Sequence, residues 1–248
     1  MTDLQFWLFV AIGFVAQLFD SGIGMGFGAI SSTVLAALGL PREVVSASVN
    51  GAKLFAGIAS GISHIALKNI DWRILRSLLI AGTAGGMAGA WFITTFDGRW
   101  VGVGISLYLL LVGLFLLWRA YRPSARVFDG RGVATVGIAG GFLQAVAGVW
   151  GPLVTSNLVA LGVNPRGAIG TGNVAEMFIA GIVFAVLIAQ LGIQRVSYFG
   201  VALLAGALLA APLGAVLARE LPRRTLTILV GLLVTLLSGL RLYHDAIG

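Results

Sequence analysis

The sequence has no cysteine, only two histidines and few charges: 16 basic and nine acidic side chains among 248 residues. Without cysteine there is no disulfide scaffold. A soluble domain of this size carries roughly a quarter charged residues; the 10% here cannot coat a water-exposed surface. A chain this apolar is not intrinsically disordered either. Enzyme chemistry lacks its usual groups. His64 and His244 are far apart, no His/carboxylate spacing suits a metal, and Gly-x-Ser-x-Gly does not occur. No enzyme activity, metal or cofactor is expected.

What the chain does contain is 58% hydrophobic residues and 36 glycines, with a mean hydropathy of +1.01. The apolar residues run in long blocks, the pattern of an all-α polytopic membrane protein whose partner is the lipid bilayer. A net charge of +7 would suit nucleic acid, but the basic residues lie between apolar blocks rather than in stripes. They read as topology signals, and no nucleic-acid partner is expected.

A bilayer crossing needs about 20 apolar residues in a helix. Segments 44–67, 72–95, 99–118, 168–190, 195–218 and 225–243 satisfy this. Stretches 4–40 and 133–163 are too long for one helix and too interrupted for two. They break at Gly22, Gly24, Gly26 and Gly28, and at Gly148 and Gly151-Pro152. The start of the chain has no basic region and no small-residue cleavage site, so no cleaved signal peptide is expected.

An offset of 123 residues lays Phe27-Gly28 on Trp150-Gly151, Gly39 on Gly162, Asn50 on Asn173 and Phe55 on Phe178. The chain therefore reads as two repeats, 1–120 and 132–248, joined by a basic linker at 121–131. Each is one broken stretch followed by three helices. If both breaks are re-entrant hairpins, the repeats are inverted. With the linker inside, eleven Lys and Arg are then cytoplasmic, and only Arg42, Arg99, Arg195 and Arg241 face out. If each broken stretch crosses once, the split is nine to six. The positive-inside rule favours inversion.

Interrupted helices survive in a bilayer only where protein or a water-filled cavity covers them. In inverted-repeat transporters such breaks lie at the midplane, and half-helix N-termini face an anionic substrate. The run Ser21-Gly22-Ile23-Gly24-Met25-Gly26-Phe27-Gly28, with Ser31, Ser32 and Thr33, has the glycines and hydroxyls for this. So does its mate, Gln144 to Pro152 with Gly148, Gly151, Thr155, Ser156 and Asn157. The plainer reading is that these glycines only let helices pack closely; two matching, polar-flanked breaks favour a site. The Gly-x-Gly spacing also resembles a dinucleotide loop, but a membrane span offers no preceding strand, and that reading is discarded.

Lys53 and Glu176 fall about ten residues, roughly 15 Å, into helices 44–67 and 168–190. The offset relates one to the other. Ionisable groups at such depth default to function. Asn50, Lys53 and Gly57 share a helix face, as do Asn173, Glu176 and Ala180. The two charges are either a substrate cation with a coupling carboxylate or a clamp between the halves. Asp20 is either a third intramembrane charge or the cap of the following half-helix. Phe27 and Trp150 either gate the breaks or pack there. His64 reads as an interfacial anchor, and Trp72, Trp91, Trp100 and Trp118 fit aromatic belts.

Several motifs resemble the TauE/SafE family: Gly39-Leu40-Pro41, Asn69-Ile70-Asp71-Trp72-Arg73, the run from Ala81 to Gly89, Gly151-Pro152 and the run from Gly162 to Thr171. The resemblance covers nearly the whole chain. It implies a prokaryotic inner-membrane exporter or permease for a small sulfur-containing oxyanion such as sulfite or an organosulfonate. Alternating access would carry the anion. A passive channel with a continuous pore and a substrate-free intramembrane scaffold are the rival readings.

Overall fold

A computed structural model describes residues 3–23, 26–66, 68–96, 99–121, 130, 132–163, 165–220 and 223–247. It is all-α, with no strand among the described residues. Ten helices follow in order: α1 (Asp3–Ile23), α2 (Phe27–Ala37), α3 (Arg42–Ala66), α4 (Trp72–Thr95), α5 (Arg99–Arg119), α6 (Val133–Ala147), α7 (Gly151–Ala160), α8 (Pro165–Leu191), α9 (Ile193–Glu220) and α10 (Arg223–Ile247).

The six expected spans correspond to α3, α4, α5, α8, α9 and α10, with bounds shifted by a few residues. Among the described residues, α4 and the Gly167–Leu191 part of α8 are long and apolar enough to cross a membrane by length and composition. The other four are 21 to 28 residues long. At 1.5 Å per residue that reaches across a hydrocarbon core of about 30 Å. Both broken stretches resolve into a helix pair. The breaks fall between Ile23 and Phe27 and between Ala147 and Gly151.

Local chemistry sets the ends. Asp71 caps α4, its Oδ1 accepting from the N–H groups of Arg73 (2.9 Å) and Ile74 (3.1 Å). Gly148 ends α6 in the left-handed region at φ 68°, where glycine carries no Cβ penalty. Its N–H donates to the Gln144 carbonyl and that of Val149 to Leu143, which closes the last turn.

The most extensive helix pairings match when the halves are exchanged, whereas α2 packs on α10 with no such pairing of α7 and α5 among the described residues. α1 packs on α9 as α4 packs on α6, and α3 on α9 as α8 on α4. α3 packs on α8, and α5 on α10. Contacts give the directions. Gly51 meets Phe184, Leu54 meets Gly181 and Gly57 meets Met177, so α3 and α8 run antiparallel. Gly113 beside Thr235 and Leu117 beside Gly231 make α5 and α10 antiparallel as well. By contrast, Phe6 touches Tyr198, Phe9 touches Phe199 and Gly13 touches Leu203, so α1 and α9 run parallel.

The buried apolar residues form two clusters that ignore the sequence halves. One joins α1, α2 and α3 to α9, with α5 and α10 against it. The other joins α4 to α6, α7 and α8. Small residues permit this. A Cβ on Gly85 would overlap the Ile138 carbonyl, and one on Gly141 would overlap that of Gly82, so the α4 and α6 backbones are in direct contact.

Candidate functional site at the two helix breaks

The two breaks meet. Gly28, in the first turn of α2, lies so close to Gly148 that a Cβ there would fall inside the Gly148 carbonyl oxygen. The Ser32 hydroxyl and Val49 stand on the Gly148 side of this crossing. The Gly148 flank is tied to α3 by an amide pair. Gln144 Nε2 donates to Asn50 Oδ1 at 3.0 Å, and Asn50 Nδ2 donates to the Ser46 carbonyl at 2.8 Å and the Gln144 carbonyl at 3.3 Å. The Ser46 hydroxyl donates to the Ala145 carbonyl.

Beside the crossing lie three buried ionisable groups. Lys53 Nζ is 2.6 Å from Asp20 Oδ2 and 3.3 Å from Glu176 Oε2. All three residues are less than a tenth exposed. The other oxygen of Asp20, Oδ1, accepts from the Phe27 N–H at 3.2 Å. Asp20 thus engages a buried cation with one oxygen and the first N–H of α2 with the other. The Phe27 ring lies 5.6 Å from Lys53 Nζ, within reach of a cation–π contact. Two carboxylates and one ammonium carry a formal charge of −1. Each bears partners, as buried charges require.

At the crossing, Ser31 and Ser32 have buried hydroxyls with no hydrogen-bond partner among the described residues, as does Gln144 Oε1. Ser48, beside Gly200, and Thr155, beside Gly172, are likewise unpartnered among the described residues. Native interiors rarely leave such groups unpaired without a reason such as a ligand or water.

The candidate residues do not all gather. Gly26, Gly28, Phe27, Ser31, Ser32, Asp20, Asn50, Lys53, Gln144 and Gly148 surround the crossing, with Glu176 reaching it from α8. Trp150 is buried just beyond, its Nε1–H donating to the Gly172 carbonyl at 3.1 Å, while its ring packs on Gly82 and Gly140. Gly151 opens α7, and Thr155 lies one turn on, beside Gly172. Asn173 points elsewhere, 3.4 Å from His64 Nε2, and does not join Asn50. Residues related by the 123-residue offset meet on the antiparallel α3 and α8 only near the point where the two positions are level. Asn50 and Asn173 are each about six residues from it, roughly 18 Å apart along the axis. Lys53 and Glu176 are each three residues away, close enough for long side chains to bridge. Gly24 and the side chains of Ser21 and Ser156 lie outside the described residues, as does most of the linker. Sequence reasoning missed Ser46, Ser48 and Thr171, whose hydroxyl accepts from the Asp71 N–H at 2.9 Å. Ser46 sits one turn before Asn50 on its face, which is a legible signal.

An α-helical bundle with paired helix breaks and ionisable groups in its interior defines a polytopic membrane protein with an intramembrane polar site. The family profile described as "Sulfite exporter TauE/SafE" matches residues 9–242. The chain belongs to this family and is a membrane transporter. It is similar to "Probable membrane transporter protein YtnM" of Bacillus subtilis (strain 168), at 33% identity over 96% of this chain and 83% of the relative. It is also similar to "Probable membrane transporter protein YunE" of the same organism, at 25% identity over 98% and 99%. No solved structure matches.

Proposed function

We propose that the protein, built of two inverted repeats, carries a small sulfur-containing oxyanion, sulfite or an organosulfonate, across a prokaryotic inner membrane by alternating access. The observation that carries this reading is the crossing itself. Two helix breaks meet in a buried place lined by unspent hydroxyls, where a helix N-terminus and an ammonium face inward. The family description supports a sulfur oxyanion as substrate.

Inversion is supported by the antiparallel crossing of repeat equivalents, α3 with α8 and α5 with α10, which a repeat axis along the membrane normal does not produce. Re-entrance is supported by direction. α1 runs parallel to α9, α9 follows α8 through the single residue Gly192, and α8 opposes α3. So α1 and α3 run the same way, and α2 returns between them. The moving bodies are the two mixed clusters rather than the sequence halves, because the backbone contacts of α1 on α9 and α4 on α6 leave no room to slide. The Lys53–Asp20 bond then lies within one body, while Lys53–Glu176 and Asn50–Gln144 bridge the two.

Two experiments test this. Protein reconstituted in liposomes is expected to show saturable sulfite uptake that methanesulfonate inhibits and chloride does not. No uptake of either anion would remove the substrate assignment, and flux that never saturates would favour a channel. For topology, Leu38→Cys and Leu161→Cys are repeat equivalents in a chain without native cysteine. Inverted repeats put them on opposite faces, so an impermeant thiol reagent should label Leu38→Cys from outside and Leu161→Cys only from the cytoplasm. Labelling of both from one side rejects inversion.

A further inference from the structure

We infer that Asp20 is a tethered occupant of the anion site: its carboxylate holds the two groups, the Phe27 N–H that opens α2 and the Lys53 ammonium, that a monovalent sulfur oxyanion takes over on binding. The inference rests on the anion-transport reading above and names how the site is filled between transport events.

An anion entering this crossing needs a helix N-terminus and a cation. Both are present, and both are engaged by the same side chain. Asp20 Oδ1 accepts from Phe27 at 3.2 Å while Oδ2 accepts from Lys53 at 2.6 Å. The carboxylate thus bridges the two attractors through a pair of oxygens on one atom. A sulfonate or hydrogensulfite presents the same pair on sulfur. Asp20 lies in the last turn of α1, next to the break, so its side chain can turn aside without disturbing a continuous helix.

Unpartnered groups stand beside the bridge. Ser31 lies one turn below Phe27 on the same face of α2, and Ser32 Oγ is directed at Gly148 across the crossing. Both oxygens are buried without a partner among the described residues. The Asp20 carboxylate does not use them, and a third substrate oxygen would. Glu176, 3.3 Å from Lys53 on the opposite body, keeps the ammonium in place while Asp20 is displaced. The exchange is one single charge for another, so the buried charge stays the same once the displaced carboxylate reaches water. A dianion adds a charge that nothing else offsets. The site therefore selects monoanions.

Asp20→Asn tests this directly, since the amide oxygen still accepts from Phe27 while the charge is lost. Titration of purified protein by calorimetry should show methanesulfonate binding about tenfold or more tighter than to wild type, because a competitor has been removed from the competent state. Sulfate should bind both proteins weakly, and uptake by Asp20→Asn should slow, since nothing expels the bound anion. Glu176→Gln removes an equal charge from the other side of Lys53 but leaves the Asp20 carboxylate on Phe27 and Lys53, and should not tighten binding. Equal tightening in both variants, or unchanged or weaker binding in Asp20→Asn, overturns the inference alone. No methanesulfonate or sulfite binding to either protein overturns it together with the transport reading. If Asp20→Asn does not fold, Asp20→Glu keeps the charge at another reach and must still shift methanesulfonate affinity; an unchanged affinity overturns the inference.

Discussion

Lys53→Met is expected to leave the buried carboxylates of Asp20 and Glu176 without a counter-charge and to remove most of the folded protein. The ammonium lies 2.6 Å from one and 3.3 Å from the other, so one substitution strips both. Breaking a buried ion pair costs roughly 3–5 kcal/mol because the remaining charge is uncompensated. Against a total stability of about 5–15 kcal/mol, that loss empties the native state at the low end of the range, and stripping both pairs adds to it. The formal charge of the trio goes from −1 to −2. Adding Glu176→Gln returns it to −1, but leaves Asp20 without its cation, so the double variant recovers only in part. The triple variant, with Asp20→Asn as well, carries no charge and is expected to recover folding fully, since neutral replacements of buried ion sets are often tolerated. Thermal unfolding followed by fluorescence-detected size exclusion checks the order. A Lys53→Met protein as stable as wild type would show that the ammonium has no structural part. A triple variant that folds and also transports would reduce the trio to a clamp. One that folds and is transport-dead would keep it in the mechanism.

Much of this architecture is written in residue spacing, and the parts that are not have specific physical reasons. Helix bounds are legible because membrane spans are long, apolar and punctuated: Asp71 before α4 and Gly192 after α8 mark ends that the chain chemistry requires. The offset that relates Lys53 to Glu176 is enough to suspect a pair. It cannot show that Asn50 and Asn173 part company, because that depends on where two antiparallel helices cross. Asp20 stays ambiguous in sequence because capping and charge pairing use different oxygens of one carboxylate, which only coordinates reveal. The mixed clusters are the least legible feature. Gly82, Gly86 and Gly89 in α4 and Gly137 and Gly141 in α6 announce close packing, but small residues carry no address for their partner. Repeat logic groups each half with itself, whereas packing groups α1 with α9 and α4 with α6.

Gly28→Ala is expected to abolish transport by forcing the two breaks apart. The new Cβ would overlap the Gly148 carbonyl oxygen, a backbone atom that no rotamer change can move aside. Overpacking a tight interior costs typically about 1–3 kcal/mol even where side chains can adjust. Here α2 or the end of α6 must shift instead. α2 cannot shift freely, because Asp20 holds Phe27 next door. The end of α6 cannot either, because Asn50 holds Gln144. Separation at Gly28 is therefore transmitted to both the carboxylate bridge and the amide pair. Gly104→Ala is the matched control, a helical glycine in α5 with nothing among the described residues within 4 Å of the added carbon, and it should change neither folding nor uptake. The reading that these glycines only aid packing makes a different prediction. Under it, Gly28→Ala lowers the amount of folded protein, yet each folded molecule transports sulfite at the wild-type rate. Uptake normalised to folded, reconstituted protein separates the two. If the normalised rate falls at least tenfold, the crossing is part of the transport site; a rate equal to wild type would leave it as a packing contact.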